Sequence, residues 1–78
     1  MSLTVLGIDP GLQVTGYAVL RLNRDGPRIH EAGILKTKSK DTLEMRLKTI
    51  YDGLNEIISE FKPDAVAVEK LYSNYKHP

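Results

Sequence analysis

Two acidic residues that each close an apolar run are the side chains in this sequence best placed to do chemistry. Asp9 ends the run LTVLGI and is followed by Pro-Gly, and Glu69 ends the run AVAV. A charged group at the point where a strand leaves the core must be paired, hydrated or bound to a ligand. Two carboxylates that lie close together repel each other unless a cation sits between them, and oxygen-only ligands suit Mg²⁺ or Mn²⁺.

Each acid also has an ordinary structural interpretation. An Asp before Pro-Gly is common turn chemistry, and a Glu after a short strand is commonly a solvated strand end. The local sequence therefore leaves a structural role and a metal-binding role open for both residues. What separates the two roles is whether the fold brings Asp9 and Glu69 together.

Five predicted elements decide that question, because they position the two acids. Apolar and β-branched runs predict strands over 3–9 (β1), 14–22 (β2), 28–37 (β3) and 65–69 (β4). Asp-Gly at 25–26 is a hairpin signal, so the first three strands are predicted to form an antiparallel meander, with Gly33 as a bulge in β3. The continuous apolar run of β4 predicts a strand that is buried on both faces.

A helix is predicted between β3 and β4. Asp41 is its predicted N-cap, with Glu44 three residues later, and Pro63 ends the helix at about Phe61. One face is apolar and is predicted to pack on the core: Leu43, Leu47, Ile50, Leu54, Ile57, Ile58 and Phe61. The other positions are predicted to face water: Arg46, Lys48, Asp52, Asn55, Glu56 and Ser59.

A helix of this length acts as a crossover, so that β4 is predicted to lie parallel to β1. The carboxyl ends of the two strands would then lie roughly 5 Å apart across the sheet. Carboxyl ends of parallel strands are where α/β sheets usually build their sites. The topology therefore makes a shared metal site at Asp9 and Glu69 reasonable, although the local spacing does not require one.

Composition narrows the class of protein. The chain has 78 residues, no cysteine and a formal net charge of +1, which excludes a disulfide framework, a thiolate metal site and a generally basic surface. No apolar run approaches the ~18–20 residues of a membrane span, and the start lacks a secretory signal, so a cytoplasmic protein without membrane contact is predicted. Because KLYSNYKHP follows β4 without a cap, a helix or a closing strand, the chain is predicted to be the front part of a longer protein.

Three blocks of the sequence resemble the N-terminal half of the RuvC family of bacterial Holliday-junction resolvases. They are LGIDPGLQVTGYAV, RLKTIYDGLNEII and PDAVAVEKLY, in this order. The resemblance implies a ribonuclease-H-like fold, which is a mixed five-stranded sheet with helices on its faces. Residues 1–78 would form only the N-terminal part of that domain, a βββαβ unit without the C-terminal half.

The same resemblance implies the activity. RuvC proteins are homodimeric, Mg²⁺-dependent endonucleases that nick two strands of a four-way DNA junction in recombination and repair, and they work with a junction-migrating motor complex. Asp9 and Glu69 match the first two of the four carboxylates that hold two metal ions, so both are predicted to be catalytic metal ligands. The other two would lie beyond residue 78, so the chain is predicted to be inactive by itself.

The resemblance also suggests DNA contacts. Tyr72 stands where the family carries an aromatic residue that wedges against bases, and its alternative role is to pack on the missing half of the domain. Lys70 and Lys76 flank it and are predicted to meet phosphates, and Gln13 is predicted to approach DNA beside the site.

Two other functions remain open from the sequence. The first is an actin-like ATP-binding domain, in which a Gly-Ile-Asp turn meets phosphate and Mg²⁺. Such domains usually carry a hydroxyl residue just after the glycine of the turn, where this chain has Leu12, which argues against that function. The second is a non-catalytic junction-binding module, against which the presence of both acids argues.

Overall fold

The computed structural model describes residues 2–69 as one four-stranded sheet with a single helix. The elements are β1 Leu3–Asp9, β2 Val14–Asn23, β3 Gly26–Lys36, α1 Leu43–Phe61 and β4 Ala65–Val68. The strand order is β3-β2-β1-β4, in which β1 pairs antiparallel with β2 and parallel with β4, and β2 pairs antiparallel with β3. The predicted meander, the crossover helix and the parallel fourth strand are therefore confirmed.

The helix begins one residue later than Asp41 would place it. Thr42 is the N-cap, and its hydroxyl accepts a hydrogen bond from the backbone N–H of Met45 at 3.2 Å, so the prediction of Asp41 as the cap is wrong. At the other end Lys62 adopts a left-handed conformation with φ of 45°, and its N–H donates to the carbonyl of Ile58. No helix in residues 2–69 combines the length and the apolar character that a membrane span requires.

The core lies between the sheet and the C-terminal half of α1. Leu6 and Val19 are fully buried, and Ile57 of the helix is buried against them. The N-terminal half of the predicted apolar face is different, because Leu43 and Leu47 are each more than half exposed. The apolar stripe of α1 is therefore a core face over its last turns only, within the part of the chain that the structure describes.

The prediction that β4 is buried on both faces is wrong for residues 2–69. All four residues of β4 are exposed, because the strand lies at the edge of the sheet and α1 packs over the other strands. An apolar run without alternation is typical of a covered strand. In the described part of the chain nothing supplies that cover.

Gly33 is not a bulge. The register shift between β2 and β3 lies between Val19 and Leu20, opposite Glu31 and Ile29, whereas Gly33 pairs regularly with Tyr17. The glycine serves a close approach, because a Cβ at this position would lie 2.7 Å from the hydroxyl oxygen of Tyr17 and 3.0 Å from its ring. The hydroxyl of Tyr17 in turn donates to Glu31 at 3.0 Å.

Tyr17 leads to a predicted loss of stability at alkaline pH. Burial is the largest cause that raises the pKa of Tyr17 above its ordinary value of 10.0, followed by the hydrogen bond to Glu31 and the negative charges of Glu31 and Glu60. The folded state therefore binds this proton more tightly than the unfolded chain does. Its contribution to stability is complete below the unfolded-state pKa and is lost as the pH rises through the higher folded-state pKa.

Urea unfolding at about pH 8 and about pH 11 measures this loss. Tyr17→Phe is the matched control, since it keeps the ring over Gly33 and removes the titrating hydroxyl. We expect a smaller alkaline loss in this variant than in the parent chain. Equal alkaline losses in the two proteins would show that Tyr17 is not the source.

Candidate functional site

The structure brings Asp9 and Glu69 side by side at one edge of the sheet. β1 and β4 run parallel with Ile8 opposite Val68, and the backbone N–H of Glu69 donates to the carbonyl of Ile8 at 2.8 Å. Asp9 and Glu69 are the next residues in this register. Because side chains alternate along a strand and neighbours in register share a face, both carboxylates lie on the face of the sheet opposite to α1.

The two acids line one open depression of about 500 Å³. Its other lining residues are mostly small, and they include Gly7, Gly16, Ala18 and Ala67. Gly16 is the partner of Asp9 in β2, so no side chain stands beside Asp9 on that side. Both acids are exposed. The arrangement leaves the carboxylates accessible to a ligand that approaches the sheet from this face.

Neither carboxylate is neutralised by a protein group in residues 2–69. The salt bridge of this part of the chain joins Lys48 and Asp52 on α1, and its side-chain hydrogen bonds do not include Asp9 or Glu69 as acceptors. Two neighbouring carboxylates repel each other, and a divalent ion bound between them relieves that repulsion. No third acidic or histidine side chain joins them within residues 2–69.

The turn after Asp9 is held by a residue that the sequence did not single out. Thr15 is 1% exposed, and its hydroxyl donates to the carbonyl of Gly11 at 2.8 Å and accepts from the N–H of Gly11 at 3.2 Å. A Cβ on Gly11 would collide with the carbonyl oxygen of Val14, so only glycine fits there. Thr15 looked like an ordinary strand residue because threonine is common in strands.

The remaining predicted site residues fall into two groups. Gln13 is exposed in the turn between β1 and β2, and its carbonyl accepts from the N–H of Thr37 at 3.0 Å. It lies four residues after Asp9 and is not among the residues that line the depression. Lys70, Tyr72 and Lys76 lie outside the described residues.

Comparison with known proteins places these residues in a family. Residues 5–77 match the family model described as crossover junction endodeoxyribonuclease RuvC. The chain belongs to the RuvC family. A crossover junction endodeoxyribonuclease RuvC of Rhodopirellula baltica is 47% identical over 76 residues, which are 95% of this chain and 42% of the relative. The chain thus spans less than half the length of this curated relative.

Solved structures agree with the fold. T. thermophilus RuvC in complex with a Holliday junction substrate is similar with a TM-score of 0.84 at 28% identity, over 95% of this chain and 46% of that one. The sheet of residues 2–69 is therefore the N-terminal part of a ribonuclease-H-like sheet, as predicted. The Aquifex aeolicus PPX-GPPA enzyme is similar with a TM-score of 0.63 at 23% identity over 87% of this chain and 26% of that one, which shows a shared fold alone.

Two glycines beside Asp9 differ in what they tolerate. Gly11→Ala is expected to cost more than about 2 kcal/mol in the free energy of unfolding, because the new methyl group meets backbone that must move. Gly16→Ala is expected to change it by less than about 1 kcal/mol, since a Cβ there lies 3.8 Å from the Cβ of Asp9, an ordinary contact. Urea unfolding of both variants measures the difference, and equal costs would contradict the geometry of the turn.

Proposed function

We propose that this chain supplies two metal-binding carboxylates, Asp9 and Glu69, to a Mg²⁺-dependent endonuclease that nicks four-way DNA junctions in recombination and repair. The observation that carries the proposal is the pairing of β1 and β4, which sets the two acids next to each other in one open depression of a RuvC-family chain. The relatives' names as endodeoxyribonucleases support the reaction class. Junction DNA as the substrate is supported by the complex of the T. thermophilus relative.

The donor set fits a hard divalent cation. Both groups are carboxylates, both are exposed, and cysteine is absent from the chain, so Mg²⁺ or Mn²⁺ suits them better than a soft metal. Divalent ions in such sites supply Lewis-acid stabilisation and activate water for attack on a phosphodiester. The role of Asp9 and Glu69 is to hold and orient the ions. Because two carboxylates are half of the family's four, residues 1–78 alone are proposed to be inactive.

Several finer features belong to the same proposal. Tyr72 stacks on a base, Lys70 and Lys76 contact phosphates, and Gln13 reaches DNA from the turn that follows Asp9. Two metal ions, a homodimer and a motor-complex partner are taken from the family, and a cytoplasmic location is taken from the sequence. Gln13 is exposed, which leaves its side chain accessible to DNA.

Phosphate binding of the actin-like kind is less well supported. A loop that binds nucleotide phosphates offers free backbone N–H groups. Here the N–H of Gly11 donates to Thr15, and the N–H of Glu69 donates to Ile8. Leu12, 42% exposed, occupies the position where a hydroxyl would serve phosphate.

Metal binding by the two acids is tested directly on the 78-residue chain. We expect Mn²⁺ to broaden the NMR signals of Asp9, Gly16 and Glu69 with an apparent Kd on the order of 1 mM, because only two carboxylates are present. Asp9→Asn should weaken this binding by at least about tenfold. Asp52→Asn is the control, since it removes the same charge from α1. Equal weakening by both substitutions would reduce the effect to net charge and contradict the assignment.

Catalysis is tested in a chimera. Residues 1–78 replace the matched N-terminal segment of the Rhodopirellula baltica relative, and nicking of a synthetic four-way junction is measured with Mg²⁺. We expect cleavage by the chimera, and a loss of at least about 100-fold in Asp9→Asn with junction binding retained, because only the cation site is removed. The 78-residue chain should not cut.

Two results would contradict this proposal. One is cleavage at the parental rate by the chimera that carries Asp9→Asn, which would remove Asp9 from the site. The other is robust, Mg²⁺-dependent cleavage by the 78-residue chain, which would show that the two carboxylates are not half of a larger set.

A further inference from the structure

A polar network ties the turn after Asp9 to the end of β3. Thr37, the first residue after β3, donates its N–H to the carbonyl of Gln13 at 3.0 Å and its hydroxyl to the carbonyl of Leu12 at 2.6 Å. Together with the bonds between Thr15 and Gly11, these contacts hold three consecutive residues of the turn. The turn is short and begins at Pro10, whose ring fixes its φ angle. Pro10 is the single residue that separates Asp9 from this held segment, so few free torsions lie between the two.

Arg46 extends the network to α1. Its Nε donates to the hydroxyl oxygen of Thr37 at 3.0 Å, and the residue is half-buried rather than water-facing as its place in the helix predicted. Its Nη2 atom is buried and has no hydrogen-bond partner within residues 2–69. Burial of part of a charged group has a cost. The contact that orients this guanidinium in the described structure is the one to Thr37.

The chain of donors is directional. Arg46 donates to the Thr37 oxygen, and Thr37 donates onward to the carbonyl of Leu12. A cationic donor polarises the hydroxyl and strengthens its own donation, because hydrogen bonds in series reinforce one another. The 2.6 Å distance from Thr37 to Leu12 is at the short end for a hydroxyl donor. Arg46 thus acts on the turn through the hydroxyl of Thr37.

We propose that Thr37 and Arg46 are positioning residues that, by holding the backbone of residues 12 and 13, set the carboxylate of Asp9 relative to the depression. The expected effect of these residues on metal binding rests on the proposed function. Their expected effect on the position of Asp9 does not depend on that function. From the other side Asp9 is held by its pairing with Gly16 in β2. After Asp9 the regular pairing of β1 stops, and there the network holds the backbone of residues 11–13 by hydrogen bonds. A group that hydrogen-bonds a metal ligand directly typically changes metal affinity by about 10- to 100-fold when it is removed. Thr37 acts on the backbone three residues from Asp9, so an effect at the lower end of this range is expected.

The test compares a substitution that removes the hydroxyl of Thr37 with one that keeps the hydroxyl and removes only the methyl group. Thr37→Val keeps the shape of the side chain and removes both hydrogen bonds of its oxygen, and Thr37→Ser keeps that oxygen. Arg46→Met removes the cationic donor, and Lys48→Met is its control on the same helix, where the lysine is paired with Asp52 in solvent. The 78-residue chain is labelled with ¹⁵N and ¹³C for all measurements, made well below the unfolding transition of each variant.

Two readouts are taken. In the metal-free chain, the side-chain carboxyl ¹³C resonance of Asp9 and the amide resonances of residues 11–13 report the position of the turn. In a Mn²⁺ titration, the broadening of Asp9 and Glu69 reports affinity. We expect Thr37→Val and Arg46→Met to shift both sets of resonances and to weaken Mn²⁺ binding by about tenfold, while Thr37→Ser restores most of both effects. Lys48→Met should change neither.

The outcomes separate the two proposals. If Thr37→Val shifts the amides of residues 11–13 but leaves the Asp9 carboxyl resonance unmoved, Thr37 only stabilises the turn and the positioning role is overturned. If Thr37→Ser shifts the resonances as much as Thr37→Val does, the hydroxyl of Thr37 does not cause the shift, and the positioning role is again overturned. If Mn²⁺ does not broaden Asp9 in the parent chain, the proposed metal site fails, and the metal-free resonances still decide the positioning role. If Arg46→Met does not fold, the two Thr37 variants decide it alone.

Discussion

The parallel pairing of β1 with β4 is the constraint on which the candidate site depends. It is fixed at both ends by hydrogen bonds. At the start of β4, Asp64 donates its N–H to the carbonyl of Thr4 and accepts the N–H of Thr4 on its carboxylate, each at 2.8 Å. At the end, the N–H of Glu69 donates to Ile8. A slip of one residue would turn Glu69 to the opposite face of the sheet and separate it from Asp9.

Successive side chains of β1 point to opposite faces of the sheet, and the two faces have different roles. Leu6 and Ile8 point to the side on which α1 packs, and Leu6 is fully buried there. Gly7 and Asp9 lie on the other side and line the depression. The same strand thus anchors the core and presents the carboxylate. Because core packing fixes the register of β1, the position of Asp9 along the sheet is set by apolar burial on the opposite face.

The sequence predicted the parts of this arrangement that depend on strong local signals. Apolar runs ending in Pro-Gly and at Glu69, and a long amphipathic helix between strands, were enough to bring the two acids together. The sequence-based predictions were wrong for side chains that suit several positions equally well and whose place is decided by contacts with distant parts of the chain. Thr42 rather than Asp41 caps α1, since both residue types favour that position and only the geometry of the chain selects one. Arg46 occupies a polar helix position, yet it folds back onto Thr37.

Glycine shows the same limit. Gly33 looked like a bulge because glycine weakens a strand, but it is required by the ring of Tyr17 from the neighbouring strand. That ring was not visible in the local sequence of β3. Likewise, β4 carried the pattern of a covered strand although residues 2–69 leave it exposed. A pattern records the environment for which a strand is suited, and the described part of the chain supplies only some of that environment.

Two kinds of force therefore place the carboxylates, and they differ in precision. Sheet pairing and core burial determine which residues lie opposite each other in β1 and β4, that is, the register of the strands. They do not determine the position of a side chain within its own residue. The turn after Asp9 has no such support, because regular pairing of β1 ends there and its backbone groups would otherwise be left to water. Hydrogen bonds from Thr15 and Thr37 satisfy those groups in one arrangement. A metal ligand must be held to a fraction of an ångström, which hydrophobic packing alone does not provide. The proposed metal-binding role of Asp9 therefore relies for its fine positioning on the hydrogen bonds that Thr15 and Thr37 make to the turn, in addition to the apolar core.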